Sequence, residues 1–247
     1  AEWIFAFTLR QKLRQLNAAG NFTHVCFHIA YPALAQLQVF ENLLPEKKLI
    51  VEHWSAYHFN FNSDKKPHRL KSLFSHGIRL ATVSRRLGND IKSFCEKDIS
   101  FDVLPNVVDT SIFCIPTEEK TTPKQDGEIR LMMHSFWKEP KRPFEIFKEL
   151  LSAETGRYKL VITGSGPLWT PMKDFVLKNN LTHKIQFTEQ AGSAEIAALM
   201  RNADVFLMPT GYETFSVVTA EALCCGCPVV ASDVGALPEL IHDGNGL

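Results

Sequence analysis

The stretch DVFLMPTGYETFSVVTAEALCCGCPVVAS, residues 204–232, decides the fold. Residues 204–208 form a short apolar run that reads as a strand, ending at Pro209. The loop TGYETF follows. A helix is expected from about Thr214–Ser216 to Cys225, with Gly226 as its left-handed cap. Residues 228–231 read as the next strand. A strand, a loop, a helix and a strand in so few residues make a crossover unit, and crossover units build parallel sheets covered on both faces.

The same alternation extends upstream. Strands are expected over 129–134, 158–163 and 184–187, and helices over 143–153, 167–179 and 193–201. Before them, strands are read at 22–30, 47–54, 78–84 and 99–106, and helices at 3–18, 32–44 and 85–97. Residues 116–128, PTEEKTTPKQDGE, are polar and aperiodic with two prolines, which marks a boundary. The expected fold class is therefore α/β, with two doubly wound, Rossmann-like parallel-sheet domains at 1–116 and 117–247.

Composition narrows the classes. Lys plus Arg and Asp plus Glu number 27 each in 247 residues, so no net field draws nucleic acid. No apolar run approaches the roughly 18 residues of a membrane span. The six cysteines show no paired framework, and a reducing cytoplasm is expected. The chain starts at Ala1 and stops after IHDGNGL, a turn pointing into a further strand, so a segment of a longer protein is expected.

Two carboxylates flank the start of the 204–232 helix. Glu213 closes the strand–helix loop, and Glu221 lies five or six residues into the helix. The first backbone N–H groups of a helix have no helical partner. Those of Thr214, Phe215, Ser216 and Val217 therefore form an anion pocket between the two acids. Carboxylates beside a phosphate repel it unless neutral donors satisfy them, and sugar hydroxyls are such donors. The pattern fits a nucleoside diphosphate sugar, with Glu221 on the ribose diol and Glu213 on a second sugar. The plain alternative is two solvated surface glutamates, since Glu suits helices and helix starts.

The string PTGYETFSVVTAEALCCGCPVVASDVGALPEL resembles the donor-site motif of the retaining glycosyltransferases of group 1 (family 4, glycogen-synthase-like), which have the GT-B fold. Glu213 and Glu221 match the family's paired glutamates. Phe215 and Ser216 stand near its Gly-Phe-Gly positions. PNVVDTSIF (105–113) resembles the family's domain-junction segment, and EHWS (52–55) its His-bearing strand end. The resemblance implies that Lys141 contacts the donor diphosphate and that His53 faces the reacting sugar from the first domain. An Arg is usual five residues before that Lys, but Phe136 stands here, so either the diphosphate is held with one fewer cation or Arg142 substitutes. Gly164 and Gly166 match a Gly-x-Gly-Pro turn beside the donor site. A tight turn would explain them equally. His134, expected at a strand end, reads as structural. Cys224, Cys225 and Cys227 read as inert buried thiols, since no second ligand pair is spaced for a metal.

The resemblance implies transfer of a sugar from a nucleotide donor to a glycan or lipid-linked acceptor, with retention and without a metal or cofactor. Glu213, His53 and Lys141 are the catalytic candidates. Glu221, Thr214, Phe215, Ser216, Arg142, Gly164 and Gly166 are the donor-binding candidates. It further suggests cell-surface polysaccharide or lipid-linked glycan synthesis in the cytoplasm, with peripheral contact at the membrane's inner face. A nucleotide-sugar-binding protein without catalysis and a GT-B epimerase are the alternatives. The 247-residue segment alone is expected to be inactive.

Overall fold

A computed structural model describes residues 8, 11–12, 14–16, 18, 20, 23–28, 47–53, 78–96, 98–115, 127–153, 157–189 and 191–247. The chain forms two units, Ala1–Pro105 and Asn106–Leu247.

In the first unit, β1 (Val25–His28), β2 (Lys48–Glu52), β3 (Arg79–Thr82) and β4 (Asp102–Val103) make a parallel sheet in that order. The helix α1 (Arg85–Cys95) follows β3 and buries Leu87, Ile91 and Cys95, one residue per turn on a single face. Ser84 caps it, its Oγ accepting the Leu87 N–H at 3.1 Å. The strand read over 99–106 shrinks to two exposed residues at the sheet edge, because Pro105 stops the ladder. The described residues from 8 to 18 are helical, as read. The helix read at 32–44 lies outside the described residues.

The second unit runs β5 (Ile129–Phe136), α2 (Pro143–Ser152), β6 (Tyr158–Ser165), α3 (Trp169–Lys178), β7 (Ile185–Thr188), α4 (Ser193–Asn202), β8 (Val205–Met208), α5 (Val217–Cys224), β9 (Val229–Ala231) and α6 (Leu237–Leu240). Its five strands are parallel in the order β7-β6-β5-β8-β9. Successive side chains of β5 serve opposite faces. Leu131 and Met133 join Phe147, Leu160, Ile162 and Met172 in one core. Met132 joins Phe206, Met208, Met200 and Ala222 in the other. Both faces are thus covered by helices, which is why the strands read as continuous apolar runs rather than alternating ones.

Residues 106–115 pack with the second unit, where Phe113 is buried in the core. Arg201 also donates to the Ile112 carbonyl there, at 3.2 Å. The strand read over 129–134 continues to Phe136, so His134 lies within β5. The helix read from 167 starts at Trp169, because the Leu168 N–H is taken by the Trp137 carbonyl at 3.1 Å.

The strand order reverses at β5. From it the chain winds outward through β6 to β7, then returns to β8 on β5's other side and continues to β9. The carboxyl ends of β5 and β8 therefore border the topological switch point, where open α/β sheets leave a crevice for ligands.

Candidate active site at the switch point

The two loops leaving the switch-point strands carry the candidate residues. After β5, residues 137–142 turn through a short 3-10 segment, Glu139–Lys141, into α2. Pro143 starts α2, as its fixed φ and missing N–H favour. Arg142, just before it, is left-handed at φ 45°. That conformation is costly for a non-glycine residue and is disfavoured before proline, so the surrounding contacts must hold it. They are visible. The Pro140 carbonyl accepts the Gly211 N–H at 2.6 Å and the Thr210 hydroxyl at 3.0 Å. The two loops are thereby stitched together, and Lys141 meets Glu213 in an ion pair.

Glu213 is fixed from its other side as well. Its carbonyl accepts the Ala236 N–H at 2.9 Å. Gly235 has φ +57°, and a Cβ there would lie 2.2 Å from the Glu213 carbonyl oxygen. Only glycine admits so close an approach in that conformation.

The helix after Glu213 starts at Val217, later than read, because Ser216 is left-handed at φ 75°. Such a residue cannot continue a right-handed helix, and the conformation costs about 1–2 kcal/mol. The buried Ser216 hydroxyl lies 2.8 Å from that of Thr219, which holds it. The N–H groups of Thr214, Phe215, Ser216 and Val217 have no hydrogen-bond partner among the described residues. Phe215 and Ser216 are largely buried, so their amides remain open on a loop that is otherwise packed.

Glu221 is the fifth residue of α5. Ala222 beside it lies in the core, and Glu221 is half-buried. Burial raises its pKa above the usual glutamate value. Its carboxylate has no hydrogen-bond or ion-pair partner among the described residues. A partly desolvated carboxylate left unpartnered is poised for neutral donors.

The remaining candidates divide. Arg142 is half-exposed, with its guanidinium 4.0 Å from Glu145. An added Cβ on Gly211 would lie 3.0 Å from the Arg142 Nε, so the glycine makes room for that side chain. Gly164 and Gly166 have φ +118° and +131°, and a Cβ on either would strike backbone of Ser135 or Trp137 within 2.5 Å. The turn's packing on the end of β5 accounts for both glycines without a ligand. His134 bonds the Thr163 hydroxyl at 2.7 Å, and burial pulls its pKa below the usual histidine value, which suits a structural role. Burial pushes the Cys227 thiol up to about 12, so it stays a thiol. No group of three or more His, Cys, Asp or Glu that could hold a metal occurs among the described residues.

In the first unit, His53 follows β2. Its N–H donates to the Glu52 carboxylate at 3.0 Å, and its Nε2 lies 3.2 Å from the Nδ1 of His28 at the end of β1. The sequence reading had Glu52 only as His53's neighbour in EHWS and did not single out His28. Their signal was present, since both close apolar strands in a parallel sheet, where strand ends meet. Gly235 was missed too, because nothing local announces a contact with residue 213.

Two cavities lie elsewhere in the second unit. One of about 550 Å³ adjoins Cys227 and Gly244. One of about 380 Å³ sits at the amino ends of β5 to β7. Neither gathers the groups just described, which lie beyond the carboxyl ends of β5 and β8.

The family model described as glycosyl transferases group 1 matches residues 117–247. An uncharacterized glycosyltransferase of Methanocaldococcus jannaschii, MJ1178, is 25% identical over 221 residues, covering 89% of this chain and 59% of that protein. Sucrose-phosphate synthase from Thermosynechococcus elongatus superposes with a TM-score of 0.79 at 17% identity, over 97% of this chain and 63% of that one. HepE of Anabaena in complex with UDP-glucose gives 0.70 at 15% identity, over 97% and 66%. At such identities the structural matches speak to the fold, which is α/β with parallel sheets of the GT-B kind. The chain spans less than two thirds of the archaeal relative's length.

Proposed function

The chain belongs to the glycosyl transferases group 1 family, and from that premise we propose that it moves a sugar from a nucleoside diphosphate donor to an acceptor hydroxyl. The observation that carries this is the unpartnered Glu221 carboxylate beside four open amides at the switch point. Amides favour a diphosphate. A carboxylate that must accept hydrogen bonds favours a diol. A nucleoside diphosphate offers both, joined at about the right spacing, since Glu221 lies roughly 6–8 Å along the helix from its start at ~1.5 Å per residue. HepE's UDP-glucose complex is consistent with such a donor.

In this reading the bond between the sugar's anomeric carbon and the bridging oxygen of the distal phosphate breaks, the acceptor oxygen bonds that carbon on the same face, and the acceptor's proton passes to the departing phosphate. The amides of 214–216 and the Lys141 ammonium stabilise charge growing on the departing diphosphate, as preorganised donors do. Glu213 orients the donor sugar's hydroxyls, and Glu221 holds the ribose. Hydrogen bonds to a charged carboxylate contribute about 1.5–3 kcal/mol each. Arg142 supplies a second cation. No metal takes part in this scheme. The acceptor is a glycan or a lipid-linked glycan. The setting is the cytoplasm, with peripheral contact at the membrane's inner face, and no helix among the described residues is long and apolar enough to cross a membrane.

One observation favours a second reading, a nucleotide-sugar binder without transfer. Phe136, where the resemblance expects Arg, is 58% exposed at the end of β5. A thermal-shift screen of nucleotide sugars on the complete protein, followed by an assay of nucleoside diphosphate release with and without acceptors, separates the two. Transfer is expected, reduced at least tenfold by Glu221→Ala through weaker donor binding, the loss of about one charged hydrogen bond. Wild-type turnover in Glu221→Ala would refute the assigned role. Binding without any release would favour the second reading.

A further inference from the structure

The ion pair between Lys141 and Glu213 has a consequence for which ligand the site retains. Both side chains are largely out of water, at 15% and 12% exposure. Glu213 immediately precedes Thr214 to Ser216 in the chain, so a phosphate seated on those amides comes close to the pair on this reading.

We infer that Glu213 discriminates the intact donor from the spent nucleotide, disfavouring a free nucleoside diphosphate relative to the same diphosphate esterified to a sugar. This rests on the reading of the site as a nucleotide-sugar site. The distal phosphate of the donor is a diester with one negative charge. In the free diphosphate it is a monoester, whose second ionisation falls near pH 6, so it carries about one charge more at neutral pH. The free diphosphate also brings no sugar hydroxyl to satisfy Glu213.

Lys141 has two courses when phosphate arrives. It can turn to the phosphate, which leaves the Glu213 carboxylate desolvated and unpaired. Or it can bridge the two, since an ammonium has three donors. Bridging leaves Glu213 facing the additional negative charge of the free diphosphate. Both courses penalise that species. With the donor, sugar hydroxyls replace the lost partner and the extra charge is absent. The pair thus speeds departure of the leaving nucleotide after transfer.

The test measures dissociation constants by isothermal titration on the complete protein, using UDP with UDP-glucose, GDP with GDP-mannose and ADP with ADP-glucose. For the pair that binds, the ratio of the diphosphate's Kd to the sugar nucleotide's is compared among variants. Glu213→Gln should lower the ratio by about tenfold, a fraction of what two charges a few ångström apart supply at a largely buried site. Lys141→Gln should raise it, because the acid then acts without its counter-ion. The opposed directions hold the test together if one variant fails to fold, which melting curves report. An unchanged ratio in the folded variants, with both ligands weakened alike, would mean that the pair only braces the two loops and would overturn the inference. Failure of every ligand to bind the wild-type protein would refute the nucleotide-sugar reading itself, and this inference with it.

Discussion

Glu221 illustrates how a site can work against its own fold. Burial raises its pKa, so the folded protein resists its ionisation. A carboxyl whose folded pKa exceeds its unfolded value binds more protons when folded, and in that window stability falls as pH rises. The ligand-free protein should therefore lose stability at Glu221 as pH climbs from the ordinary glutamate range, near 4.3, through the raised value. Glu221→Gln should stabilise the ligand-free protein at pH 7, and the gain should fade towards pH 4. Urea unfolding at both pH values checks this. A destabilising Glu221→Gln at pH 7 would mean that the carboxylate has a partner, contrary to its open position. Sequence spacing placed Glu213 and Glu221 correctly about the helix start. It did not reveal that Ser216 and Arg142 are left-handed, because neither is glycine and their conformations are imposed by tertiary contacts.

At the scale of elements, the two switch-point loops are set by backbone contacts more than by side chains. Gly235 touches the Glu213 backbone, and the Pro140 carbonyl holds Thr210 and Gly211. Gly235→Ala should destabilise the protein by about 2 kcal/mol or more, from overlap and from the left-handed backbone together. It should also weaken nucleotide-sugar binding by shifting residue 213. Denaturant midpoints and a titration measure the two effects. A neutral substitution on both counts would remove Gly235 from the account. The elements themselves were legible where apolar runs had the length of a strand and were buried on both faces, as in β5, β6 and β8. They were least legible at the sheet edge, where β4 has two exposed residues and little apolar content to mark it. Helix starts shifted where tertiary structure intervened, at Leu168 because its N–H bonds the Trp137 carbonyl and at Ser216 because it is left-handed.

For the whole molecule, Lys141, Arg142, Glu213, the amides of 214–217 and Glu221 all lie in Asn106–Leu247. Donor binding should therefore belong to this unit. Residues 105–113 carry the junction resemblance in the sequence, and the burial of Phe113 shows that they pack with the second unit. The central claim is that a diphosphate sits at the carboxyl ends of β5 and β8. A crystal structure of the protein with a bound nucleoside diphosphate sugar tests it most directly. The phosphates should lie within about 3 Å of the amide nitrogens of 214–216 and the Lys141 Nζ, with the Glu221 carboxylate on the ribose hydroxyls. A diphosphate bound away from the switch point, or a Glu221 carboxylate turned from the ribose, would contradict it.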